Sequence, residues 1–198
     1  MNWFQKLFGI KKTGRNQVEF EPDSNNIYFH EDSYCQVELL PIENLQELES
    51  ENEKIKEFVK EHFDGWGYTD IYCRDGQGIE TAERKIDVKD SESLILCFDF
   101  IKAKHISTGY SNYKEECKNT NAYSVDGAVI FCDYDLGIIK NIWLDGFRFQ
   151  SESEHVKEMV EVLFQIGEKW RLTLNDWDLT ENIDLKDRSE IEKYIKEK

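Results

Sequence analysis

The chain has 198 residues, 39% of them apolar and 13% aromatic, enough bulk for one core that buries roughly 70% of the unfolded surface. Charged residues make up 33%, and 41 acids against 25 bases leave a net charge of −16. These values argue against collagen, coiled coil, membrane span and long disordered chain. So negative a body also repels phosphate backbones, which argues against DNA or RNA as a direct ligand.

The charge is uneven. Lys6, Lys11, Lys12 and Arg15 give residues 1–15 a charge of +4, and the rest of the chain carries −20. Trp3, Phe4, Leu7 and Phe8 fall at helical spacing beside these lysines, so residues 1–12 read as a short basic amphipathic helix. Such a helix suits an anionic membrane surface or a partner's groove; a frayed terminus or a helix folded onto the core is the alternative. Residues 13–25 read as a linker. The stretch WFQKLFGI is too short and interrupted for a secretory signal, and no run nears the ~20 apolar residues of a membrane span. A cytoplasmic protein is expected, organised as an N-terminal helix and linker over 1–25 and one α+β domain over 26–198.

NIYFH (26–30) and SYCQVELL (33–40) read as strands, the second closed by Pro41. Leu45, Leu48, Ile55, Phe58, Val59 and Phe63 recur at helical spacing, with a break expected near Ser50 and Asn52. DGWG (64–67) stops that helix, YTDIYCR (68–74) reads as a strand, and DGQG (75–78) as a turn. ETAERKIDV is ambiguous between helix and strand. SLILCFDFI (93–101) reads as a central strand, because apolar residues crowd both of its faces. The pattern dissolves over 102–125.

GAVIFCDYD (127–135) and IIKNIWLD (138–145) form a hairpin across Leu136–Gly137. Ser151 and Glu154 have capping-box spacing ahead of a helix whose apolar face carries Val156, Met159, Val160, Leu163, Ile166 and Trp170. RLTLNDWDL (171–179) reads as a strand. Asp187 and Glu190 open a last helix presenting Ile191, Tyr194 and Ile195. Adjacent hairpins with flanking helices and no repeated βαβ unit predict an α+β fold, a mostly antiparallel or mixed central sheet with helices packed on one side.

Cys35, Cys73, Cys97, Cys117 and Cys132 form no CxxC pair, and four of them sit in apolar runs. Scattered thiols, expected to be buried, fit a reducing compartment and give no zinc-ligand spacing. Asp133 and Asp135 leave a strand at i, i+2 spacing, a pattern that can hold a divalent cation; a solvated hairpin end is the alternative. This string has a superficial likeness to the haloacid-dehalogenase nucleophile motif, but no Thr or Ser follows where that motif needs one. His30, His62, His105 and His155 show no ligand spacing. His105 is the best general base, with no nucleophile tied to it. Serine-hydrolase, phosphate-loop and dinucleotide fingerprints are absent, so no catalytic set and no cofactor are expected.

Tyr110, Tyr113 and Tyr123 stand among Ser, Asn, Gly and Thr in the irregular segment, the mixture binding loops use; an unparsed hairpin with half-buried tyrosines is the alternative. Trp143, Trp170 and Trp177 read as packing between helices and sheet, although an exposed Trp177 among acids could anchor a partner. The C-terminal LNDWDLTENIDLKDRSEIEKYI resembles small uncharacterised bacterial proteins, some of which are immunity partners of secreted polymorphic toxins. The likeness covers about the last third of the chain and brings no individual site residue. It implies inhibition by binding, with carboxylates opposing a basic toxin. The expectation is therefore a non-enzymatic acidic protein that binds a basic partner. Tyr110, Tyr113 and Tyr123 would supply contact area, and Asp133, Asp135, Asp176 and Asp178 steering charge. A small divalent-metal enzyme using Asp133 and Asp135 is the alternative.

Overall fold

In the computed structural model the described residues are 25–198, apart from 75, 77, 111, 112 and 147–152. The amphipathic helix expected over 1–12, the linker before residue 25, part of the DGQG turn and the Ser151 side of the capping box lie outside them.

The strands are β1 (Asn26–His30), β2 (Val37–Pro41), β3 (Ile101–Lys102), β4 (His105–Tyr110), β5 (Tyr113–Glu116), β6 (Thr120–Val125), β7 (Ala128–Asp135), β8 (Ile138–Asp145), β9 (Leu172–Asp176) and β10 (Glu181–Ile183). The helices are α1 (Leu45–His62), α2 (Val88–Ile95), α3 (Glu154–Trp170) and α4 (Arg188–Glu197). The fold is α+β. Seven strands make a wholly antiparallel sheet in the order β10-β9-β2-β8-β7-β6-β3, and a small mixed sheet has the order β1-β4-β5.

Period-two alternation makes β7 a central strand. Ile130 and Cys132 face the larger core, Val129 and Phe131 a second one, and all four are buried. On the first face α2, α3 and α4 cover Leu39, Ile142, Leu172 and Leu174 with Ile95, Met159, Leu163 and Ile191. On the second, β1 and β4 lay Phe29 and Ile106 against Phe131 and Trp143, whose rings stack 3.9 Å apart. Helix α1 lies on this second face too, with Leu48 and Ile55 against Leu40 and Trp177. Two hairpins use paired left-handed residues, Asp126–Gly127 (φ 47 and 87) and Leu136–Gly137 (φ 50 and 81), the combination that follows the twist of two-residue hairpins. Gly167 permits a close approach of α3, since a Cβ there would stand 2.3 Å from that of Leu185.

Several expectations are corrected. The 93–101 run is not a central strand. Asp87 caps α2 by accepting from Lys89 N–H at 2.8 Å, the helix runs through Ile95, and only Ile101 and Lys102 join the sheet, at its edge. The irregular 102–125 segment holds β4, β5 and β6. No strand forms over 68–74, where Phe63 and Tyr68 make only an isolated bridge. Helix α1 is continuous through Ser50 and Asn52. Helix α3 begins behind Ser153, which accepts from His155 N–H. Among the thiols, Cys35 and Cys132 are buried, Cys117 is half-buried, and Cys73 and Cys97 are exposed.

Candidate docking surface on helix α1 and its aromatic turn

Where α1 ends, the chain makes a compact turn stabilised by its own polar groups. Phe63 N–H still donates to Val59 C=O, and Thr69 N–H reaches back to His62 C=O at 2.9 Å. Inside that loop the Asp64 carboxylate accepts from Trp66 N–H at 2.9 Å and Gly67 N–H at 3.0 Å, while Asp64 N–H donates to Gly67 C=O. Gly65 sits at φ 94, a conformation a side chain would strain. The carboxylate is held below its usual range by those two N–H donors.

This scaffold turns apolar side chains outward. Trp66 is 96% exposed, Ile71 83%, Tyr68 60% and Phe63 51%. The segment after them is fastened to the domain. Tyr72 donates to Glu51 at 2.7 Å and meets Phe58 edge-on. The Arg74 guanidinium lies over the buried Trp177 ring, 4.4 Å from its centroid, and pairs with Glu38, which also accepts from Trp177 Nε1 at 2.8 Å. Both ends of residues 62–74 are thus tied down while the middle presents large apolar side chains to solvent. Scattered apolar residues on a surface mean little, but four within nine residues, on a turn ordered by its own hydrogen bonds, make this turn the candidate interaction surface. The helix and turn together are acidic: residues 45–74 contain eight acids and four bases.

The sequence-predicted residues lie outside this turn, in separate elements of the fold, with Tyr110 beside Tyr113 and Asp178 beside Asp176. Tyr110 and Tyr113 pair at the end of the β4–β5 hairpin. Tyr123 is corrected from contact residue to core residue: it is fully buried against the main core and donates to Glu92 at 3.1 Å. Asp176 is likewise buried, because it shares strand parity with Leu172 and Leu174. It accepts from Tyr194 Oη at 2.7 Å, from the N–H groups of Asp178 and Leu179 at 3.0 Å each, and from Lys198. Asp178 and Asp135 are exposed and stay available as surface charge.

Asp133 turns inward. Its carboxylate accepts from Thr120 Oγ1 at 2.6 Å, Tyr34 Oη at 3.0 Å and Trp143 Nε1 at 3.2 Å, and a bulge after it breaks the register with Asp135. Its acceptor sites are engaged by the fold, so the Asp133/Asp135 pair is not assembled as a cation site. Among the described residues no three His, Cys, Asp or Glu side chains gather as metal ligands. His105 lies 3.8 Å from Glu116, and His155 pairs with Glu158 at 3.0 Å, which raises its pKa. Trp177, read as core or anchor, is core.

No family model, curated protein or solved structure matches this chain.

Burial pushes Asp133 above the ordinary carboxylate value of 3.8, although its hydrogen bonds pull the other way. A raised folded-state pKa means the native protein holds this proton more tightly than the unfolded chain, so the site's contribution is largest below 3.8 and is lost as pH climbs through the folded value. Wild type is therefore expected to lose stability relative to Asp133→Asn as pH rises from about 4. Urea titrations of both proteins between acid and neutral pH check this; a difference moving the other way would mean a lowered pKa.

Proposed function

We propose that this chain is a non-enzymatic binding protein that docks onto a basic protein partner, in the manner of a bacterial immunity-type inhibitor of a basic toxin. The observation that carries the reading is the nearly complete exposure of Trp66 on a turn tied at both ends. Tryptophan is the side chain most enriched at interface hot spots, and a surface ordered before binding loses less conformational freedom on association. The acidic composition of α1 and its turn supports a cationic partner, as does the net charge of −16. Five free thiols, two of them exposed, suit the reducing setting of the cytoplasm. No helix among the described residues is long and apolar enough to cross a membrane.

Capture from a lysate of the source cells, followed by association kinetics with the captured protein, tests the proposal. The partner should be basic, and its association should slow steeply as ionic strength passes about 0.1 M, where the Debye length is ~10 Å. An acidic partner, or an association rate indifferent to salt, contradicts the electrostatic half of the reading.

A further inference from the structure

The fold joins an arginine, an aromatic ring and a carboxylate in two places. Arg74 lies over the Trp177 ring, 4.4 Å from its centroid, and pairs with Glu38 at 3.6 Å. Arg188, at the start of α4, lies over Phe164 of α3 at 3.2 Å and grips Glu161 through Nε at 2.8 Å and Nη2 at 3.0 Å. A guanidinium suits both partners at once, because its flat face stacks on the ring while its edge donates to the carboxylate. An ammonium is a compact, strongly hydrated point charge and offers no such face.

The aromatic turn presents a ring and a carboxylate two residues apart, in Trp66 and Asp64. Among the described residues no Lys or Arg lies over the ring of Trp66, nor over those of Phe63 and Tyr68. Elsewhere the chain's own cations cover rings that reach the surface, those of Tyr28, Phe164 and Trp170. Gly65 and Gly67 flank the indole, and a Cβ at either would meet nothing within 4 Å, so the backbone leaves room beside it. The carboxylate is fixed rather than free to swing. Trp66 and Gly67 N–H both donate to Asp64 Oδ1, at 2.9 and 3.0 Å, which leaves Oδ2 to accept from a ligand. The same two bonds hold its pKa below the usual carboxylate range and so keep the group anionic.

We infer that Trp66 and Asp64 receive an arginine side chain of the basic partner, its guanidinium flat on the indole and its edge donating to Asp64 Oδ2. The assignment rests on the turn being a docking surface and adds the side chain that docks there. Indole is the best of the aromatic faces for a cation, and Trp66 is 96% exposed. A carboxylate already held in place lets the ion pair form without ordering both of its members, which lowers the entropic cost of binding. Arginine is selected over lysine because one planar group meets ring and carboxylate together, as Arg74 and Arg188 do within the fold.

The test titrates the full, isotope-labelled chain with the capped tripeptide Ala-Arg-Ala at millimolar concentration. Parallel arms use Ala-Lys-Ala and Ala-citrulline-Ala, the latter keeping the shape of arginine without its charge. The largest shifts are expected at the Trp66 indole N–H and the amides of residues 64–67. The arginine peptide should bind about threefold or more tighter than either of the others. Asp64→Asn keeps an Oδ1 acceptor for the two N–H groups and removes the charge, while Trp66→Leu keeps apolar area and removes the indole face. Each variant should bind the arginine peptide about threefold or more weakly than wild type. Shifts centred away from the turn, a lysine or citrulline peptide as tight as the arginine one, or either variant binding like wild type would each overturn the inference. If the peptides leave the turn untouched while Trp66→Ala still loses the captured partner, the arginine site falls and the docking reading stands. If arginine binds as expected and Trp66→Ala leaves capture unchanged, the docking reading falls instead.

Discussion

Asp176→Ala is expected to cost about 3–5 kcal/mol of folding free energy, the range for removing one partner of a buried charged network. The carboxylate is fully buried and collects Tyr194 Oη, two backbone N–H groups and the Lys198 ammonium. Truncation leaves the tyrosine hydroxyl and the turn amides without an acceptor inside the protein, while Lys198 can swing to water. It also frees the last turn of α4 from β9. For a domain of this size the loss should lower the melting temperature by roughly 10 °C, and Asp176→Asn, which keeps an acceptor oxygen, should lose less. A variant as stable as wild type would return Asp176 to the role of surface charge.

Trp66→Ala should do the reverse. With Trp66 almost wholly in solvent and the turn held by Asp64 rather than by the indole, the unfolding free energy should stay within about 0.5 kcal/mol of wild type. Partner affinity should fall by about 2–4 kcal/mol, a thirty- to thousand-fold rise in Kd. Ile71→Ser should act in the same direction by a smaller amount, because serine keeps the backbone ties while removing apolar area. Equal losses of stability and binding would mean that the tryptophan packs in solution and that the turn is a structural element.

The elements legible in the amino-acid pattern are those whose periodicity and boundaries agree. The β7–β8 hairpin has alternation on both sides of Leu136–Gly137, and α4 has Asp187 as its cap with Ile191, Tyr194 and Ile195 on one face. Where the two signals compete, the boundary wins. Leu94, Leu96, Phe98 and Phe100 alternate like a strand, yet the cap at Asp87 starts a helix that carries Ile95 into the core. Hairpin β6–β7 carried its own mark, Asp126–Gly127 between apolar runs, hidden by the polar residues of β6.

The functional surface was less legible for a physical reason. Asp176 and Tyr123 look like exposed polar residues in sequence, but each shares strand parity with inward-facing neighbours, Leu174 and Val125, and follows them into the core. Trp66 carries the opposite signal. A tryptophan between two glycines, in a turn just past a helix stop, has no periodic partner to bury it. That isolation marks it as exposed, whereas Trp143 stands in β8, Trp170 in α3 and Trp177 directly after β9, where neighbours pack against them. Charge alone points to a class of partner and not to a place, because the 41 acids are spread along the chain.

Hydroxyl-radical footprinting of the protein, free and in complex with its captured partner, tests the docking surface most directly. Trp66, Tyr68 and Phe63 should oxidise readily in the free protein and become protected in the complex, while Tyr123 and Trp143 stay protected in both. Full oxidation of Trp66 in a complex that shields another face would contradict the account.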